Sequence, residues 1–198
     1  DATHLTFFQM LGNWALGSSE QGGYGKKEAI KWSWQLLTDD KEGFGLDPLR
    51  LYITVFAGNS DAPRDDEAAE IWQSLGVPKN RIYYLDGKSN WWSPGDNGPC
   101  GPSSEMFYDL TIDGLGDLSH DKFIAADEAG QVVEMWNDVF MEYEKKNGEV
   151  IGKLSQPNID TGAGLERLTA VLQGVDSVYK TDVFESQLSY LADFDTAA

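Results

Sequence analysis

The sequence predicts an α+β domain built on a mainly antiparallel sheet with flanking helices. Three observations carry this. Short β-rich runs recur at irregular spacing, and amphipathic helical segments lie scattered between them instead of alternating one for one. The composition, 41% hydrophobic and 12% aromatic over 198 residues, supplies a core of the size one domain needs.

Leu5 to Leu11, with Thr6-Phe7-Phe8 β-branched and aromatic, reads as the first strand. Residues 17–23 (GSSEQGG) form a loop. Lys26 to Thr38 reads as a helix whose apolar residues, Trp32 and Trp34 among them, cover much of its circumference and belong to the core. Leu51 to Ala57 (LYITVFA) is the clearest strand. Asp65 to Leu75 is a helix with acids in its first turn, ended by Gly76-Val77-Pro78, and Arg81 to Leu85 is a short strand. Residues 91–102 (WWSPGDNGPCGP) are too dense in Gly and Pro for a regular element. Met106 to Leu110 and Val132 to Tyr143 read as strands, and Asp113 to Gly130 between them has no assignable pattern. Asn158 to Gly164 leads into an amphipathic helix carrying Leu165, Leu168, Val171 and Leu172, and a last helix spans Asp182 to Ala192.

Charge narrows the functional classes. Fifteen Lys and Arg face 33 Asp and Glu, a net charge of −18, which argues against recognition of nucleic acid through a basic face. Residues 101–150 hold 12 acids and three Lys, a net of −9 and so half of the total. A single Cys leaves no intramolecular disulfide and no cysteine zinc cluster. No run approaches the length of a membrane span, so the expected setting is soluble, cytoplasmic and without a membrane partner.

Four constellations could carry chemistry. In Asp160-Thr161-Gly162-Ala163-Gly164-Leu165-Glu166-Arg167, small residues let backbone approach a ligand and a helix start offers N–H groups, with Arg167 able to hold a phosphate or lie on an adenine. An ordinary strand-to-helix turn accounts for the same residues. Trp92 with the Gly/Pro stretch could wall a small rigid pocket, or pin a surface loop. On a strand, Asn137 and Val139 share one face and Trp136, Asp138 and Phe140 the other, and a buried Asn137 needs a partner. Asp109, Thr111, Asp113, Gly114 and Asp117 mimic nine positions of a calcium loop, but its twelfth is His120 where a bidentate Glu is needed. Cys100 paired with His4 or His120 makes a poor thiol nucleophile, since no helix N-terminus backs it.

Together these segments resemble the aminoacylation domain of the alanyl-tRNA synthetases, a family of class II aminoacyl-tRNA synthetases. The resemblance rests on four blocks in family order: residues 6–14 (TFFQMLGNW), 96–102 (DNGPCGP) with 105–109 (EMFYD), 134–141 (EMWNDVFM) and 160–168 (DTGAGLERL). It implies a six-stranded-type antiparallel class II sheet flanked by helices. It also implies a reaction, in which alanine and ATP, carried as its Mg2+ complex, give alanyl-adenylate and pyrophosphate before transfer to tRNA(Ala). By the same resemblance Asp160 holds the substrate ammonium, Trp92 walls the alanine methyl, and Asn137 and Val139 line the pocket. Gly162 leaves room for the substrate, Arg167 is the motif 3 arginine on ATP, and Phe8, on the second strand of motif 2, stacks on adenine.

Residues 1–198 then correspond to a partial catalytic domain whose N-terminal part, motif 1 and the first strand of motif 2, is missing. Gln9 and Leu5 replace a Glu and a His usual in the family. No zinc is expected, because the family's zinc ligands lie in other regions. The absence of the motif 2 arginine raises an alternative: a catalytically inactive, synthetase-like module that binds alanine or ATP.

Overall fold

The computed structural model describes Leu5, residues 7–17 and residues 23–195. Thr6, His4 and most of the loop at 17–23 lie outside the described residues. Seven strands and five helices follow in the order β1 (Met10–Leu16), α1 (Lys26–Thr38), β2 (Leu51–Phe56), α2 (Asp66–Ser74), β3 (Ile82–Leu85), β4 (Trp91–Trp92), β5 (Gly98–Asp109), α3 (His120–Glu128), β6 (Val132–Lys146), β7 (Glu149–Gly164), α4 (Leu165–Gln173) and α5 (Asp182–Asp195). The sheet runs β1-β7-β6-β5-β2-β3, with β4 added on β5. By contact density the chain divides into residues 12–162 and residues 1–11 with 163–198.

Within residues 12–162, β2 occupies the sheet interior, and all six of its residues are buried. That explains its unbroken apolar run, since both of its faces are covered. It pairs antiparallel with β5 but parallel with β3, one parallel pair in a sheet that is mainly antiparallel, as expected. The crossover through α2 makes the parallel pair possible.

Helices α1 and α2 cover the face that carries Val55, Ser104 and Asp138. Trp72 of α2 donates its indole N–H to Ser104 Oγ at 2.8 Å, and Ser33 of α1 donates to Asp138 Oδ1 at 2.6 Å. The buried stripe of α1 is Ala29, Ile30, Ser33 and Leu37. Trp32 falls off that stripe, is 46% exposed and packs edge-to-face with the Tyr24 ring, so it is not core. Trp34 packs edge-on against Trp72. Asp65 caps α2 by accepting the Ala68 N–H at 3.0 Å. The same carboxylate lies 3.0 Å from Lys26 Nζ, which also reaches Glu142 at 2.8 Å and Glu67 at 3.3 Å. Burial alone would lower the Lys26 pKa, but Asp65 and Glu142 outweigh it and push it up to about 12.

The opposite face carries two aromatic clusters. At one end Tyr52, Tyr83, Phe107 and Phe123 pack together, with the Tyr83 and Phe123 rings stacked at 4.3 Å. Phe123 brings α3 into the core, although only Phe123 and Ala126 of that helix are buried. At the other end Trp91 packs on Phe56 and Tyr143 beside Cys100.

Strand β5 begins at Gly98, eight residues before the expected start, and takes in the Gly/Pro run. The reason is spatial. A Cβ on Gly101 would lie 1.9 Å from the Phe140 carbonyl, so only glycine lets β5 pass this close to β6. Pro102 is accommodated where the pairing register shifts between Cys100 and Ser103, while Pro99 lies opposite Glu144 near the start of the strand.

In the segment 1–11 with 163–198, β7 turns into α4 at Gly164 and the chain near Gln9 closes the helix start. Gln9 accepts the Leu165 N–H at 2.9 Å and donates its own N–H to the buried Glu166 carboxylate at 2.9 Å. Both Glu166 carboxylate oxygens thus accept from this one backbone N–H. The regular strand starts at Met10, so Phe8 precedes it, 53% exposed, contrary to the expected strand from Leu5. Pairing partners, not β-propensity, set where a strand begins, and here the chain has already turned to the α4 backbone. In α5 and the turn before it, Gln173 bonds Asp182 and Tyr179 packs on Phe184.

Candidate functional site

Register places four of the candidate residues side by side. On the paired strands β6 and β7, Asn137 faces Gly162 and Val139 faces Asp160. Because alternate residues share a face, these four form one patch, and Ser103 and Glu105 extend it on β5, opposite Val139 and Asn137. Val139 is buried, while Asn137, Asp160 and Gly162 are half-buried. The four central residues thus offer one carboxylate, one carboxamide, an apolar wall and a position without a side chain, suited to a small ligand bearing a positive charge.

Trp92 sits on β4, paired with Gly101 of β5, and is half-buried. Its neighbour Trp91 takes the core position against Phe56, so the two tryptophans divide the work between packing and surface. Behind the patch, β1 lies so close to β7 that a Cβ on Gly12 would stand 2.0 Å from the Thr161 carbonyl.

Several polar residues that sequence reasoning passed over converge here. Glu105 accepts from Asn137 Nδ2 at 3.2 Å and from Thr54 Oγ1 at 3.4 Å, and Thr54 Oγ1 accepts from Asn90 Nδ2 at 2.9 Å. Asn137 Oδ1 is left buried with no partner. Tyr24 donates to Asn13 Oδ1, and its hydroxyl pKa is raised by burial and by the negative charges of Asp138 and Asp160. Thr54, Asn90 and Tyr24 lie outside the four blocks, and the pairing of Thr54, Glu105 and Asn137 exists only through strand register.

Arg167 lies in the first turn of α4, half-buried, its stem 3.8 Å from where a Gly164 Cβ would sit. Phe8 belongs to the same segment and is exposed. The acidic loop after β5 is occupied internally. Asp109 accepts from Thr111 N at 2.8 Å and from Leu115 N, Asp117 pairs with Arg81 at 2.8 Å, and Arg50 holds the Ile112 carbonyl at 2.8 Å. Among the described residues, no three His, Cys, Asp or Glu gather as a metal site. Cys100 is buried, and burial raises its thiol pKa, the reverse of what a nucleophile requires. Among the described residues, no helix is long and apolar enough to cross a membrane.

The family model for class II (A) tRNA synthetases matches residues 1–194. The alanine–tRNA ligase of Treponema denticola is 46% identical over 98% of this chain and 31% of its own length. That of Rubrobacter xylanophilus is 46% identical over 93% of this chain and 20% of its own. The cytoplasmic alanine–tRNA ligase of Caenorhabditis elegans is 46% identical over 93% and 18% respectively. The chain thus spans a third or less of the length of these curated relatives. Among solved structures, the histidyl-tRNA synthetase of S. aureus superposes with a TM-score of 0.46 at 15% identity, over 88% of this chain and 42% of that one.

Proposed function

The chain belongs to the class II (A) tRNA synthetase family, and from that membership we propose that it is a partial catalytic core of an alanine–tRNA ligase acting in the cytoplasm. The observation that carries this reading is the cross-strand patch, in which Asp160 neighbours Val139 and Asn137 neighbours Gly162. A half-buried carboxylate is suited to an α-ammonium, and the adjoining apolar wall and glycine suit a methyl-sized side chain. The relatives, which are alanine–tRNA ligases, support the same substrate.

In this reading Asp160 holds the alanine ammonium, Trp92 and Val139 bound the methyl group, Asn137 lines the pocket and Gly162 keeps it open. The alanine carboxylate oxygen attacks the α-phosphorus of Mg2+–ATP, a new P–O bond forms, and pyrophosphate leaves with the electrons of the broken bond. The 3′-terminal hydroxyl of tRNA(Ala) then takes the alanyl group and AMP departs. The protein contributes positioning and charge stabilisation, with no covalent intermediate of its own. Phe8 is assigned to the adenine. Arg167, whose guanidinium is permanently charged, is assigned to ATP. A pocket of this kind excludes larger side chains sterically, but one methyl group is worth only about 1–3 kcal/mol against glycine.

The test is alanine binding and alanine-dependent ATP–pyrophosphate exchange by the chain and by Asp160→Ala. Removing the carboxylate is expected to weaken alanine binding by roughly a hundredfold or more, with ATP binding retained. Undiminished alanine affinity in that variant would overturn the assignment.

A further inference from the structure

Asn137 presents a chemical ambiguity. Its amide can offer either an acceptor or a donor to a ligand, and the two faces differ only by a half-turn of the side chain. The structure removes that ambiguity through the neighbours of Asn137 on β5 and β2. Asn137 Nδ2 donates to Glu105 Oε1 at 3.2 Å. As a carboxylate, Glu105 can only accept, so turning the amide over would set oxygen against oxygen. Asn137 Oδ1 is therefore the atom turned away from Glu105, and it is buried with no partner.

Glu105 is itself held. Thr54 Oγ1 donates to Glu105 Oε2 at 3.4 Å. Thr54 has one hydroxyl proton, and Asn90 Nδ2 dictates where it goes, because that nitrogen donates to Thr54 Oγ1 at 2.9 Å and cannot accept. Asn90 is fully buried, with its N–H on the Asp86 carbonyl and its carbonyl on the Ser103 N–H. Donors thus run Asn90 to Thr54 to Glu105 from one side and Asn137 to Glu105 from the other. The chain crosses β2, β5 and β6 along one row, since Thr54 faces Glu105 and Glu105 faces Asn137.

We infer that Glu105, held by Thr54 and Asn90, is a positioning residue that locks the Asn137 amide with Oδ1 toward the ligand, so that the patch recognises a donor group on the substrate at that point. This rests on the reading of the patch as an alanine site, where the donor is the α-ammonium, shared between Asp160 and Asn137 Oδ1. A buried unpaired acceptor is costly in the free protein, and a ligand N–H relieves that cost.

The test is a double-mutant cycle on alanine binding by calorimetry, using the chain itself, Glu105→Gln, Asn137→Ala and the double variant. Glutamine keeps the size of Glu105 but can present a donor, which releases the lock. Glu105→Gln is expected to weaken alanine binding roughly tenfold, the size of one hydrogen bond to a charged group, and to have less than about a twofold effect once Asn137 is alanine. Thr54→Val gives a smaller loss with the same dependence on Asn137, and covers the case in which Glu105→Gln fails to fold. In the 15N–1H spectrum the Asn137 side-chain amide carries a displaced, hydrogen-bonded proton that Glu105→Gln abolishes, a signal that needs no ligand. Equal losses with and without Asn137, or an amide signal indifferent to Glu105, overturn the inference while leaving the alanine reading intact. A chain that binds no alanine overturns the reading of the patch, and with it this assignment.

Discussion

Ser33 Oγ and Asp138 Oδ1, 105 residues apart in sequence, meet at 2.6 Å inside the helix-covered face of the sheet. Asp138 is fully buried, receives the Trp136 indole N–H at 3.2 Å, and has no partner for Oδ2. Burial raises its pKa to about 7, against the lowering effect of the Ser33 and Trp136 hydrogen bonds. Tyr24, whose own pKa Asp138 helps to raise, is a titratable neighbour.

A pH dependence of stability follows from that shift. The native pKa lies above the ordinary carboxylate value of 3.8, so between these values the folded chain keeps a proton that the unfolded chain has released. Stability therefore falls as pH rises from about 4 to about 7, then levels off for this group. Asp138→Asn retains the acceptor oxygen and carries no charge. Thermal melts are expected to show its midpoint pulling ahead of the parent as pH rises, by roughly 3 °C or more at pH 8. Parallel curves from pH 5 to 8 would rule this out.

Lys26 holds together the starts of α1 and α2 and strand β6. Its side chain is 10% exposed, beside Asp65 at 5% and Glu142 at 24%. Lys26→Met leaves both carboxylates desolvated without a counter-charge, and urea unfolding should report a loss of about 3 kcal/mol. Lys26→Arg, which keeps the charge, should lose less. A Met variant within about 0.5 kcal/mol of the parent would reduce this cluster to surface ion pairing.

Gly101 is the point of nearest approach between β5 and β6. Gly101→Ala sets a methyl against the Phe140 carbonyl at 1.9 Å, where backbone, not a mobile side chain, must give way. The expected cost exceeds about 2 kcal/mol, measured as earlier proteolysis and a lower unfolding midpoint. An unaltered midpoint would mean that the bulged register can absorb the methyl.

Calcium should leave the melting temperature unchanged, because the carboxylates of the acidic loop are spent on the loop itself. Asp109 serves the amides of Thr111 and Leu115, and Asp117 serves Arg81. Asp109→Ala should instead lower stability by about 2 kcal/mol with or without calcium. A calcium-dependent rise in midpoint would restore the ion-binding reading of residues 109–120.

What the sequence disclosed depends on how local the determining physics is. Helix α1 was readable to its end residues, and β2 to within one, because periodicity and β-propensity act over a few residues. The patch residues Asn137, Val139, Asp160 and Gly162 stood out through their motifs. Strand β5 was half hidden, since the glycine that permits it answers to a carbonyl on another strand. Helix α3 was invisible because two buried side chains make a weak stripe. Thr54 and Asn90 carry no local signal, and the block that holds Glu105 gives no hint of its partners, for their relationship exists only once β2, β5 and β6 are in register.

That register places two contrasting rows one residue apart on each of four strands. Thr54, Glu105, Asn137 and Gly162 form one row, while Val55, Ser104, Asp138 and Thr161 form the other, under the helices. A strand that paired one position out would turn Glu105 toward Trp72 and Ser33 and send Asp138 to the opposite side. Each such error exchanges Glu105 and Asp138 between surroundings built for the other and breaks the partnerships both make in register, so mispaired intermediates are penalised before the helices can close over them. The assembling sheet proofreads its own alignment, with the candidate-site residues on one side and those that anchor the helices on the other as the check.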